Sequence, residues 1–248
     1  MLAQAVVPHW IKVFGTRWCM VTTSSLDGKA MAQAVVTAGQ AYGVEFVGEV
    51  LMPFGSMDYT VALAAAKEKH PTLVVFNFYG WDLVHALKAY AKVELAKEKI
   101  GVGGLIAGEQ IGRPLGYAHN AGIWGLIWDS KVNTEGSRRF IQGVVEKYNH
   151  TPTSRCYLGY AAMTQILEAI QRVDSTEAPA LIQALEDHEF DGLKEGRSYF
   201  RASDHQHVQD VVVGEAYGKE LGLGHYKILA TVPGERFTTG AEAGQCQL

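Results

Sequence analysis

Four hydroxyls in a row, Thr22, Thr23, Ser24 and Ser25, stand just before the segment LDGKA, where an apolar run gives way to an amphipathic one. Hydroxyls and free backbone N–H groups at a helix start suit a carboxylate or another small anion, and capping by Ser25 or Asp27 accounts for the same residues equally well. A second cluster is aromatic: Phe78, Tyr79 and Trp81 crowd around Gly80, where VVFNF ends. Rings at that point either fill core or wall a pocket, offering apolar area and a π-face to a cation. Glu109 in LIAGEQIG is the one acid placed at the end of a predicted strand, where it can face a ligand ammonium, cap the loop or act as a general base. His205 and His207 in DHQH alternate as strand neighbours do, but two imidazoles without a third ligand at known spacing do not define a metal site. They read as turn and surface histidines, with Asp204 as a turn residue.

The elements that must hold these groups are strands alternating with helices. Short apolar runs at 17–23, 44–51, 72–78, 100–107 and 122–129 are separated by amphipathic stretches starting near Gly28, Asp58 and Asp82, with Asp58 and Asp82 as expected N-caps. This is the pattern of βαβ units and a parallel sheet, whose right-handed crossovers put every strand-to-helix loop on one edge. After Asp129 the pattern changes to three consecutive helices, at 134–149, 154–173 and 177–187. Met163, Ile166, Leu167 and Ile170 share one face of the second, and Ser175 and Pro179 are expected to start the third. Short strands follow within 196–218 and at 225–233, before a glycine-rich tail. The chain thus divides at 1–129, 130–205 and 206–248.

Composition narrows the function. The chain has 248 residues, 48% of them hydrophobic, which is ample for a core. A net charge of −4, with no Lys/Arg cluster, argues against a nucleic-acid partner. No GxGxxG or GxxxxGK[ST] loop, no GxSxG elbow and no CxxC pair is present, so nucleotide cofactor, serine nucleophile and zinc all lack a sequence signal. No catalytic residue, metal or cofactor is expected. Of the three cysteines, Cys19 falls inside a predicted strand as a buried hydrophobe, while Cys246 sits in the tail as a candidate for pairing. The first residues, MLAQAVVPHWIKVFG, lack the basic start of a signal peptide and the length of a membrane span.

Several stretches, RWCMVTTSSLDGKAMAQAV, VLMPFGSMDYT, the run from Cys156 to Gly192, SYFRASDHQHVQDVVV and YKILATVPGERF, together resemble the periplasmic substrate-binding proteins of the leucine/isoleucine/valine-binding type. The resemblance covers nearly the whole chain but only the last two thirds of such a protein. It implies a type I periplasmic binding protein clamshell: 17–129 as a Rossmann-like, parallel-sheet α/β second lobe, the helices of 134 to about 190 belonging to a partial first lobe, and the tail returning to the second. It implies a solute-binding role with an ABC permease as partner, a periplasmic location, and an amino-acid-like or amide-like ligand held by Ser24, Ser25, Asp27, Phe78, Tyr79, Trp81 and Glu109. Where family members show an aromatic before the glycine matching Gly28, this chain has Asp27, which departs from a plain branched-chain amino-acid site. A ligand-sensing domain of the same fold is the first alternative and a Rossmann-like enzyme the second. The helices lack the sheet they would cover, and pairing between copies is the expected way to bury them.

Overall fold

The computed structural model describes residues 1–116, 119–216 and 226–237. The cysteine at 246 lies outside them. The chain forms two compact units, one of Leu2–Ile127 with Val212–Ala230, the other of Trp128–Val211 with the chain from Thr231 onward.

The first, a sheet unit, begins with α1 (Leu2–Phe14) and then alternates β1 (Arg17–Thr23), α2 (Leu26–Gln40), β2 (Glu45–Met52), α3 (Thr60–Lys67), β3 (Leu73–Asn77), α4 (Trp81–Lys92), β4 (Gly101–Ala107), α5 (Glu109–Leu115) and β5 (Ile123–Leu126). Four of these five strands fall within the predicted runs and β2 runs one residue beyond, to Met52; four are short stretches rich in β-branched or aromatic residues, while β4 is a glycine-rich apolar run. They pair in parallel in the order β2-β1-β3-β4-β5. The sheet continues antiparallel from β5 to β8 (Val211–Ala216) and on to β9 (Tyr226–Val232), giving seven strands. The result is a mixed α/β fold with a mostly parallel sheet. β1 and β3 are buried almost end to end, as strands covered on both faces must be.

Strand β4 carries glycines at 101, 103 and 104, and large rings lie directly on its bare backbone. A Cβ on Gly101 would stand 2.3 Å from the Phe14 ring, one on Gly103 2.6 Å from the Trp10 indole, and one on Gly104 2.6 Å from Trp124. The Trp10 Nε1–H donates to the Ile123 carbonyl at 2.9 Å, fixing α1 over the sheet. Cys19 is buried in β1, and burial pushes its thiol up to about 11, so it is an inert apolar side chain.

Three expected caps differ. Asp82 is not the N-cap of α4: Gly80 holds that position with a φ of +68°, and Asp82 is turned inward. Helix α8 (Ala178–Leu185) is capped by the backbone of Glu177, while Ser175 accepts from the Glu177 N–H two residues earlier, because Pro179 in the first turn moves the helix start. Asp58 is not the N-cap of α3 either: Tyr59 holds that position without a side-chain cap, and the Asp58 carboxylate one residue earlier accepts the Thr60 N–H at 2.8 Å.

The second, a helical unit, holds α6 (Glu135–Tyr148), α7 (Ser154–Val173) and α8, with a two-stranded ribbon of β6 (Tyr199–Phe200) and β7 (His207–Val208). Thr134 and Thr153 cap α6 and α7 with their hydroxyls. The core is polar-laced. Trp128 stacks on Tyr157 at 5.8 Å and meets Phe140 edge-on, and its Nε1–H donates to Ser137 Oγ at 3.0 Å. Ser137 Oγ in turn donates to the Leu193 carbonyl at 2.6 Å. Beneath them Lys194 is buried, its ammonium donating to the Asp210 carbonyl at 2.7 Å and standing 5.6 Å from the Tyr157 ring; burial pulls its pKa down to about 7.

The outer faces of these three helices are bare. Tyr160, Met163, Ile166, Leu167 and Val173 on α7, Val145 and Tyr148 on α6 and Ile182 on α8 are all exposed, and α8 buries nothing. Met163, Ile166 and Leu167 therefore share an exposed face among the described residues, with Ile170 half-buried at its end.

Candidate functional site

In an open α/β sheet the order 2-1-3-4-5 reverses direction between β1 and β3, and ligands settle in the crevice outside the carboxyl ends of the strands at such a switch point. Two of the three groups singled out from the sequence stand there. Ser24, Ser25 and Asp27 follow β1, and Phe78, Tyr79 and Trp81 follow β3. The Tyr79 hydroxyl donates to Asp27 Oδ2 at 2.8 Å, tying the two loops across 52 residues of sequence. Glu109 begins α5 after β4 and is buried.

These residues are not equivalent. Ser25 is the N-cap of α2, accepting the Gly28 N–H at 3.0 Å and standing 3.1 Å from Thr23 Oγ1, so its hydroxyl is engaged. Gly28 is required by close approach: a Cβ there would lie 2.4 Å from the Thr23 carbonyl. Ser24 and Asp27 are exposed. Phe78, only 3% exposed, stacks on Phe76 and meets Tyr59 at a tilt, at 5.1 Å each, and supports the loop from below. Trp81 is the opposite, 66% exposed, with its ring 6.1 Å from His85. Gly80 with its positive φ makes this split, sending the chain from a buried strand to an exposed first helical residue.

Sequence reasoning missed Asp82 and the loop it holds. Asp82 accepts the Tyr59 hydroxyl at 2.5 Å and the Gly55 N–H at 3.0 Å, and burial, with Asp82 beside it, pushes the Tyr59 phenol far above its usual range. The loop so anchored follows β2 and exposes Phe54 and Met57. The signal was the PFG turn directly after a strand run. Below the rim, Asn77 donates to Thr22 Oγ1 at 3.0 Å and Thr22 to Glu49 at 2.6 Å, a polar file running from the buried Asn77 of β3 and Thr22 of β1 out to the exposed Glu49 of β2.

The histidines separate. His205 sits in a turn with a positive φ, its Nε2 2.9 Å from Glu186. His207 is not a surface group: it packs against Phe190 at 5.4 Å and Phe200 at 5.0 Å, and burial, helped by nearby Lys194, lowers its pKa to about 4. Its strand position turned it into the ribbon. Among the described residues no group of three His, Cys, Asp or Glu could hold a metal ion, and no helix is long and apolar enough to cross a membrane.

A doubly wound sheet of this order, with the loops after β1 and β3 joined at one edge, is an open α/β architecture, and the family follows. The chain belongs to the periplasmic binding proteins, whose family model matches residues 1–220. Among solved structures it is similar to a periplasmic binding protein from Burkholderia mallei, with 24% identity, a TM-score of 0.86 and coverage of 97% of this chain and 64% of that one. It is also similar to an amino acid ABC transporter substrate-binding protein from Pseudomonas fluorescens, with 20% identity, a TM-score of 0.91 and coverage of 100% and 67%. A third is a leucine-binding protein from Thermotoga maritima, at 16% identity and a TM-score of 0.79, covering 95% and 66%. No curated protein sequence matches. The chain spans about two thirds of the length of these structures, and under two thirds of the first.

Proposed function

We propose that this chain is part of the solute-binding component of an ABC importer, acting in the periplasm, and that it holds a small amine- or amide-bearing solute at the β1/β3 edge of its sheet unit and passes it to a permease. The observation that carries this reading is the convergence of Ser24, Asp27, Tyr79 and Trp81 at the switch point, joined by the Tyr79–Asp27 hydrogen bond. Exposed ring area from Trp81, a carboxylate from Asp27 and hydroxyls at the start of α2 are the parts needed to hold one cationic or amide group and one small acceptor. Glu109 completes the acidic side of the site. Binding and release require no bond to be made or broken, so the side chains act only by position and charge.

The test exploits tryptophan burial. Trp10, Trp18, Trp124 and Trp128 are fully buried, so Trp81 alone is placed to report on a ligand at this edge. Titrating free amino acids, small amides and benzoate should change the emission for an amine or amide and not for benzoate, and Trp81→Phe should abolish the change. A response that survives Trp81→Phe places the ligand elsewhere. Glu109→Gln should weaken an amine ligand by roughly 2 to 5 kcal/mol, the scale for removing one partner of a buried charge pair. No change would mean a ligand without a cationic group.

A further inference from the structure

We infer that a polar cleft between α6 and α7 of the helical unit is a binding site for a small primary alkylammonium ion, separate from the solute site on the sheet unit. The cleft holds about 120 Å³. Gln165 of α7 lines it and is only 3% exposed. Its Nε2 donates to Glu168 Oε2 at 3.0 Å, which fixes the amide: the nitrogen must face the carboxylate, so the oxygen faces away from it. That oxygen, Oε1, is buried without a hydrogen-bond partner among the described residues. An acceptor taken out of water and left unpaired is costly, and it calls for a donor.

The rest of the lining selects the donor. Asp191 lies against bare backbone of α6: a Cβ on Gly136 would stand 2.1 Å from Asp191 Oδ2, and the Leu193 N–H donates to Oδ1 at 2.9 Å. The carboxylate is thereby held in place, with Oδ2 the less engaged oxygen, 3.4 Å from Arg139 Nη2. Arg139 is committed to Glu135, to which it donates at 2.5 Å. Three carboxylates, Glu135, Glu168 and Asp191, thus surround one guanidinium, and the cleft favours a cation. A primary ammonium carries three N–H donors on one atom, and Gln165 Oε1, Asp191 Oδ2 and the Thr164 hydroxyl are three acceptors lining one cleft. The Tyr160 ring, also in the lining, offers its face to the charge and its apolar area to a short tail. Size limits that tail: a cavity of about 150 Å³ holds benzene, so this one takes an ammonium head with two or three carbons. A free amino acid does not fit, because its own carboxylate would meet Asp191 and Glu168.

The experiment titrates n-propylammonium chloride into the intact chain at constant ionic strength and follows the Gln165 side-chain amide and the Leu193 backbone amide by nitrogen–proton NMR. Saturable shifts of both, with a dissociation constant of about 1 mM for so few heavy atoms, are the expected result. Tetramethylammonium, equally charged but without N–H groups, should leave both signals in place, and so should glycine. Gln165→Met should weaken binding by at least about tenfold, and Glu168→Gln, at an exposed position, by about threefold. Should Gln165→Met not fold, Glu168→Gln carries the test. Trp81→Phe should change nothing, so this site and the solute site stand or fail separately. The inference is overturned by the absence of a saturable shift, by an equal response to tetramethylammonium, or by full affinity in Glu168→Gln.

Discussion

Helices α4 and α7 are both amphipathic, yet they spend their apolar residues differently. α4 buries Leu83, Val84, Leu87 and Tyr90, and the Tyr90 hydroxyl reaches the Ile100 carbonyl at 2.7 Å. α7 is nearly twice as long and buries only Ser154, Tyr157, Gln165 and Ala169, with Met163 and Leu167 each more than half exposed. α4 belongs to a unit that contains the strands of its layer; α7 belongs to one whose cohesion comes from the Trp128 cluster near the helix starts. The difference teaches that an apolar stripe announces a contact without supplying it.

The sharpest break of this comparison is a matched pair of truncations. Leu87→Ala, at a position 1% exposed, should cost about 2–5 kcal/mol in urea unfolding, whereas Leu167→Ala in the lone chain should stay within about 0.5 kcal/mol. Equal losses would mean that the α7 face is already covered. Asp82→Ala should cost about 1.5–3 kcal/mol, because it leaves the Tyr59 hydroxyl and the Gly55 N–H of the sheet unit without their charged acceptor. A loss under 0.5 kcal/mol would show water replacing the carboxylate there.

Lys194 gives the helical unit a signature in pH. Its pKa falls from an ordinary 10.5 to about 7 on folding, so between those values the unfolded chain holds a proton that the folded one has released. Stability therefore rises with pH across that window, at no more than about 1.4 kcal/mol per pH unit, and the slope vanishes below pH 7 where both states are protonated. Lys194→Met should remove the rise in denaturant midpoints measured from pH 7 to 10; an unchanged slope would mean that the ammonium reaches water. The smallest effect belongs to the loop tie at the site: Tyr79→Phe should cost about 0.5–1.5 kcal/mol and raise the proteolysis rate near Asp27. Unaltered cleavage and stability would show that the two loops hold their places separately.

Legibility in the sequence followed the same division. The five parallel strands could be read because each is a short apolar run closed by a turn, and α7 because Met163, Ile166, Leu167 and Ile170 recur at helical spacing over a long stretch. The antiparallel attachment of β8 to β5 could not, since pairing partners 90 residues apart leave no local trace. At the candidate site, residue types singled out loops that meet at the β1/β3 edge, but their orientation depended on Gly80: its positive φ buries Phe78, exposes Trp81 and frees Asp82 from capping to hold Gly55. Periodicity likewise grouped Met163, Ile166 and Leu167 on one face without saying that this face is exposed among the described residues.

The bare backbone of β4 has a consequence for descent. With Phe14, Trp10 and Trp124 lying where side chains of Gly101, Gly103 and Gly104 would be, a methyl gained on the strand must be met by a smaller ring opposite, and a ring lost must be met by a methyl. Lineages of this chain should therefore vary these positions as linked pairs, Trp10 with Gly103 and Phe14 with Gly101, so that the history of α1 is written in the glycines of a strand about ninety residues away.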